Sequence, residues 1–259
     1  MYIGIITNKE KDPALTYTSH ICDFLQGQGA ICRTEDNLEN NEAFWVILGG
    51  DGTMLRHSHR AAMYNIPLLG INLGNLGFLT DVERQDGISA LKKALAGDYQ
   101  TEQRLMLAVQ YDGIEAEPDG LALNDVYVGA NGGLKVFSVC VNGYLMDKIR
   151  ADGIIVATPT GSTAYNLSAG GPILVPNGEM MVITPVCPHS LNTRPVVVSA
   201  EDTVQIIAHQ NSPVSIDGEK KGEIAAESSI IVRKSPRYAT ILKTAPAHLH
   251  AVLRRKKFL

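Results

Sequence analysis

In the stretch FWVILGGDGTMLRHS, residues 44–58, an apolar run ends in three glycines wrapped around one aspartate, Asp51. Gly49, Gly50 and Gly52 reach backbone angles closed to other residues and, lacking side chains, let a ligand approach the main chain. The apolar run reads as a strand and TMLRHSHRAAM as a helix. The turn therefore lies at a helix N-terminus, where unpaired N–H groups and the helix dipole favour an anion. A carboxylate in that place repels phosphate, so Asp51 points to chemistry on a neighbouring hydroxyl or to a bound metal. A plainer reading stands beside it, in which Asp51 or Thr53 simply caps the helix. The phosphate-loop patterns GxxxxGK[ST] and GxGxxG are absent.

A second cluster, ADGIIVATPTGSTAYNLSAGGP at 151–172, sets Thr158, Thr160, Ser162, Thr163, Tyr165, Asn166 and Ser168 among four glycines. Hydroxyls, bare N–H groups and one aromatic face are what a ribose, a phosphate and a base require, although a Gly/Ser/Thr-rich connecting loop has the same composition. The segment GINLGNLGFLTD, 70–81, repeats the glycines beside Phe78. LNDV, 123–126, puts Asn124 next to Asp125 in a β-like run, where adjacent side chains face opposite ways unless a bulge re-aims one.

The elements that must position these residues fall into two textures. Up to about residue 98, short apolar runs (YIGIIT, AICRT, AFWVIL, IPLLGIN) alternate with helical segments, the pattern of a parallel sheet covered on both faces. DPALTYTSHICDFLQGQG reads as a helix with Asp12 as cap and Pro13 at its first position. Beyond residue 98 the runs are β-like, with Asp112-Gly113, Asn142-Gly143 and Asp217-Gly218 as hairpin turns and a short helix around STAYNLSAGG. The expected fold is an α/β N-terminal domain with an open, mostly parallel sheet (1–98) and a β-rich C-terminal domain (99–237), with 238–259 packing back on the first.

A formal net charge of −4 over 259 residues leaves no electrostatic footprint for nucleic acid or an anionic membrane. No apolar run approaches the roughly 18 residues a membrane span needs. Cys22, Cys32, Cys140 and Cys187 are far apart in sequence and match neither a CxxC pair nor zinc-ligand spacing, which fits a reducing, cytoplasmic setting. His57 and His59, two apart on a helix, diverge, and no dedicated metal site is expected.

Taken together, GGDGT (49–53), NLGNLGFL (72–79), LNDV (123–126), DGIIVATPTGSTAYNLSAGGP (152–172), ITPVCPHSL (183–191) and SIDG (215–218) resemble the motifs of the NAD kinase family, in order and over nearly the whole chain. The resemblance implies a dinucleotide held between the two domains and phosphoryl transfer from ATP or inorganic polyphosphate to the 2′-hydroxyl of the adenosine ribose of NAD, giving NADP. It implies that Asp51 accepts the hydroxyl proton beside Gly52, that Phe78 packs near the adenine, and that Asn124, Asp125, Asp152, Thr160 and the segment Thr163, Ala164, Tyr165, Asn166, Leu167 and Ser168 bind NAD. Arg56, Arg150 and Cys187 match positions that approach ligand, Arg150 reaching a neighbouring subunit's site. A divalent cation, Mg²⁺, accompanies the donor, and relatives are homodimers or homotetramers. Asp125 departs from the family's usual Glu by one methylene. A lipid kinase sharing the glycine turn and a dinucleotide sensor without turnover are the rival readings.

Overall fold

The continuous apolar runs of the first hundred residues are strands buried on both faces. In the computed structural model, which describes residues 1–74, 77–111, 120–129, 133–245 and 253–254, the chain divides into two units, Met1–Gln103 with Ala239–Leu259, and Arg104–Tyr238. In the first, β1 (Tyr2–Thr7), β2 (Ile31–Thr34), β3 (Trp45–Gly49) and β4 (Leu68–Asn72) form a parallel sheet in the order β2-β1-β3-β4, with the short β5 (Val82–Glu83) parallel to the end of β4. Helices α1 (Thr16–Gly27), α2 (Asp51–Met63) and α3 (Gly87–Leu95) connect them. Strand alternation divides the burial: Ile3, Ile5, Val46, Leu48, Leu69 and Ile71 share one cluster with Ile21 and Leu25 of α1 and Leu91 of α3. Trp45, Ile47 and Leu68, pointing the other way, are equally buried, and α2 packs on β3 and β4 with Met54, Ala61 and Ala62 inside.

The second unit is two antiparallel sheets sharing a core, as its alternating β-like runs predict. β6 (Gln100–Gln110) leads into it and pairs with β7 (Leu121–Ala122). Then come β8 (Asp125–Gly129), β9 (Lys135–Val141), β10 (Tyr144–Ala151) and β11 (Gly153–Ala157), a 3-10 turn at Gly161–Thr163 and the one-turn α4 (Tyr165–Ser168). β12 (Met180–Val186), β13 (Val196–Ser199), β14 (Val204–Ala208), β15 (Ser212–Ile216), β16 (Glu219–Ile224) and β17 (Ser229–Lys243) complete the order. One sheet runs β13-β12-β11-β8-β15-β16; in the other β10 pairs β9, β9 pairs β14, and β14 pairs the first half of β17. Val126, Val128, Ile154 and Val214 of the first pack with Phe137, Val139, Ile206 and Ile230 of the second. The last residues of β17 belong to the first unit, where Ile241 pairs in parallel with Leu68 of β4.

Asn142-Gly143 and Asp217-Gly218 turn the expected hairpins, with φ of 52° and 81° and of 51° and 81°. Asp112-Gly113 and most of the C-terminal tail lie outside the described residues. The cysteines differ from the sequence reading: Cys22 on α1 and Cys32 on β2 meet with their sulfurs 2.6 Å apart, because the helix returns antiparallel along the strand that follows it.

The start of α1 also differs. Pro13 does not open the helix; it begins at Thr16, after Leu15 in a left-handed conformation. The Leu15 side chain carries no acceptor with which to cap, so Asp12 folds back and does it from upstream, accepting the N–H groups of Tyr17 at 3.3 Å and Thr18 at 2.9 Å and the Thr18 hydroxyl at 2.8 Å. Replacing Asp12 by Ala strands these buried donors. The variant is expected to lose about 3 kcal/mol of stability, read as a lower denaturant midpoint at unchanged slope.

Candidate active site

Asp51 occupies the first turn of α2, whose N-cap is Gly50. Its carboxylate does not cap the helix, and neither does Thr53, whose hydroxyl accepts from the Asn8 amide. The side chain instead crosses to the segment after β4. Oδ2 accepts the Phe78 N–H at 2.8 Å; Oδ1 accepts the N–H groups of Leu79 at 3.0 Å and Thr80 at 3.2 Å and the Thr80 hydroxyl at 3.2 Å. The Thr80 hydroxyl is itself held by the Asn72 amide at 3.0 Å. A Cβ at Gly77 would collide with the carboxylate, which accounts for a glycine there. Oδ1 thus serves three donors and Oδ2 one, so Oδ2 keeps the greater capacity to accept from a ligand hydroxyl. Gly52 and Arg56 are exposed on the same helix. Sequence reasoning did not single out Lys11, whose ammonium lies beside both Gly50 and Gly74 and adds a cation to the helix start.

In the second unit, β8 places its residues by alternation: Val126 and Val128 enter the core while Asp125, Tyr127 and Gly129 face the other way. The Thr158–Ser168 loop packs against the start of this strand, the Thr158 N–H donating to Asn124 O at 2.9 Å and the Thr158 hydroxyl to Leu123 O at 2.6 Å. Asn124, Asp125, Ala164 and Tyr165 come together around a cavity of about 360 Å³, which they line with Tyr127 and Asp217.

 A separate cavity, of about 770 Å³, lies in the first unit and is lined by Tyr17, His20, Asn72, Gly74 and Arg84 among others.

Tyr127 and Asp217 were not singled out as site residues from the sequence. The Tyr127 ring lies over Gly129 and Gly153, where any Cβ would collide with it; its hydroxyl donates to Asp152 O at 3.1 Å, and Tyr165, 43% exposed, meets it edge-on at 5.5 Å between ring centroids. Gly129, two residues along the same strand, and Gly153, across on β11, were the available signal. Asp217 accepts three backbone N–H groups, from Leu123, Asn124 and Asp125.

Not every expected residue faces the cavity. Asn166 is fully buried: its amide donates to Ser162 O and Pro172 O and accepts from the Thr184 hydroxyl. Thr160 is buried too, 3.4 Å from an Arg104 guanidinium nitrogen, and the Thr163 hydroxyl donates to Thr160 O. Leu167 is half-buried and Ser168 exposed on α4. Arg150, Asp152 and Cys187 gather at the other end of β11, where the Asp152 N–H donates to Val186 O; Arg150 and Cys187 are exposed and Asp152 half-buried. Burial, and secondarily the Asp217 charge, push the Asp125 carboxyl up to about 7.

A family model described as the ATP-NAD kinase N-terminal domain matches residues 30–99, and one described as the ATP-NAD kinase C-terminal domain matches 123–244. These matches make the protein a kinase, a phosphotransferase. The chain is 36% identical to an NAD kinase of Lachnospira eligens over 94% of its own length and 95% of that protein's. Among solved structures it is similar to an NAD kinase from Archaeoglobus fulgidus in complex with ATP (TM-score 0.80, 29% identity, 94% of each chain) and, in fold, to yeast NADH kinase complexed with NADH (TM-score 0.85, 22% identity, 100% of this chain and 88% of that one). The chain belongs to the NAD kinase family.

An Asp whose folded pKa is raised binds its proton more tightly folded than unfolded. Stability therefore falls as pH rises from about 4, where the unfolded side chain ionises, to about 7, and levels off above. Asp125→Asn removes this penalty. The variant is expected to gain on the wild type progressively between those limits, by up to about 4 kcal/mol, in denaturant titrations at pH 5 and pH 8.

Proposed function

We propose that this enzyme transfers the terminal phosphoryl group of ATP to the 2′-hydroxyl of the adenosine ribose of NAD, producing NADP and ADP. The observation that carries this reading is the Asp51 carboxylate, anchored on a bare glycine turn with one oxygen lightly engaged. The 2′-oxygen attacks the γ-phosphorus, the bond from that phosphorus to the β,γ-bridging oxygen breaks, and the hydroxyl proton passes to Asp51. ATP is favoured over polyphosphate because the similar Archaeoglobus protein is described in complex with ATP.

Asn124, Asp125, Ala164 and Tyr165 bind NAD around their cavity, with Thr163, Leu167 and Ser168 beside them; Thr160 and Asn166 hold the loop in shape from within. Gly52, Arg56 and Phe78 accompany Asp51, and Arg150, Asp152 and Cys187 take a further part of the dinucleotide. The divalent cation, Mg²⁺, enters on the donor phosphates, since Mg²⁺ is held by substrate phosphates and few protein ligands. Lys11 and the start of α2 supply positive charge for those phosphates. Exposed Tyr144 and Leu145 on the edge strand β10 support a homo-oligomer. Among the described residues no helix is long and apolar enough to cross a membrane, and we place the enzyme in the cytoplasm.

The test is NADP formation with Mg²⁺ and ATP or polyphosphate as donor, and NAD or NADH as acceptor. Asp51→Asn is expected to lower kcat by roughly 10²- to 10⁴-fold while NAD affinity is kept. Near-normal turnover in that variant removes the base assignment; tight NAD binding by the wild type without product identifies a sensor instead.

A further inference from the structure

We propose that Asp217 is a positioning residue: by gathering the N–H groups of Leu123, Asn124 and Asp125 it fixes the backbone from which Asn124 and Asp125 present their side chains to the acceptor nucleotide. This rests on the function proposed above. Oδ2 accepts Leu123 N at 2.8 Å, and Oδ1 accepts Asn124 N at 2.7 Å and Asp125 N at 3.0 Å; the Asp217 N–H returns a bond to Asp125 O at 2.9 Å. The hairpin alone does not call for a carboxylate, since Asn142-Gly143 makes the same kind of turn elsewhere. Three donors converging on two oxygens do: an amide offers one acceptor oxygen and turns an N–H₂ toward an N–H.

Asp217 also sets the charge felt by Asp125. Among the residues lining the cavity the titratable groups are Asp125, Asp217, Tyr127 and Tyr165. The adjoining strands β11 and β15 carry none, and Glu219 of β16 is paired with Lys221 at 2.9 Å. Removing the Asp217 charge therefore lets Asp125 ionise at lower pH.

Asp217→Asn should raise KM for NAD roughly 10- to 100-fold with kcat at saturation nearly unchanged, and should move the pH profile of kcat/KM for NAD to the acid side. An unchanged KM and an unmoved profile overturn the proposal, as does a folded variant that loses kcat at saturation while its KM is unchanged. Should the variant not fold, hydrogen exchange of the wild type decides: the Leu123, Asn124 and Asp125 amides are protected if Asp217 holds them, and exchange at loop rates sinks the idea. Wild-type protein that makes no NADP defeats the proposed function rather than this role.

An independent observation carries a second inference: we infer that Cys22 and Cys32 are a reversible dithiol–disulfide pair. Their sulfurs are 2.6 Å apart and both side chains are half-buried, with the Cys32 thiol donating to Cys22; that contact holds the Cys22 thiol below its usual range. With a low-molecular-weight disulfide as oxidant, the Cys22 thiolate attacks one of its sulfurs and expels a thiolate, and Cys32 then attacks Cys22 of the mixed disulfide. The pair loses two electrons and two protons, and the oxidant leaves as two thiols. Oxidised glutathione should reduce the thiols titratable after denaturation from four to two, with Cys22 and Cys32 peptides linked and dithiothreitol restoring both. Four remaining thiols, or a bridge to Cys187, overturn the inference.

Discussion

A carboxylate accepting three consecutive backbone N–H groups is the device on which both halves of this protein rely. Asp51 gathers residues 78 to 80 and Asp217 gathers residues 123 to 125. Segments that bend sharply leave their N–H groups without strand or helix partners, and burying such groups unpaired costs free energy. One ionised side chain satisfies three at once with charge-assisted bonds. The segments bearing Phe78 and Asn124 thereby acquire a defined shape without belonging to a regular element, and Asp125 is fixed where its strand begins.

Close packing around those anchors explains the glycines better than flexibility does. Gly77 leaves room for the Asp51 carboxylate, and Gly129 with Gly153 leaves room for the Tyr127 ring. At Gly77 and Gly153 a side chain from a distant position occupies the space a Cβ would fill; at Gly129 the ring comes from two residues back on the same strand. The hydroxyl-rich loop obeys a similar rule: the side chains of Thr158, Ser162 and Asn166 turn inward and bond to backbone groups, Asn166 also to the Thr184 hydroxyl, which leaves Ala164 and Tyr165 to face the cavity. Much of its polarity is structural.

Electrostatics runs against stability at the same place. Asp125 and Asp217 are two acids lining one cavity, and the buried one is held near neutral pKa. A fold selected for stability alone would avoid that pair. A hydroxyl-bearing ligand that accepts or donates to Asp125 gives the arrangement a use.

The strand-and-helix alternation, the glycine turn at the start of α2 and the Asn-Gly and Asp-Gly hairpins were legible in the sequence, because hydrophobic period and positive φ are properties of neighbouring residues. The family motifs likewise marked Asp51, Asn124, Asp125 and Tyr165. Asp12 was legible as the cap of α1, but the helix begins at Thr16 rather than Pro13, because Asp12 caps it from upstream of the apolar N-cap residue Leu15. Only the tertiary structure decided that Asp51 bonds to residues 27 to 29 positions away, that Asp217 reaches back more than 90, that Tyr127 meets Asp152, and that two separated cysteines touch. Those are through-space contacts, set by how sheets and helices stack, and no local pattern in the chain encodes them.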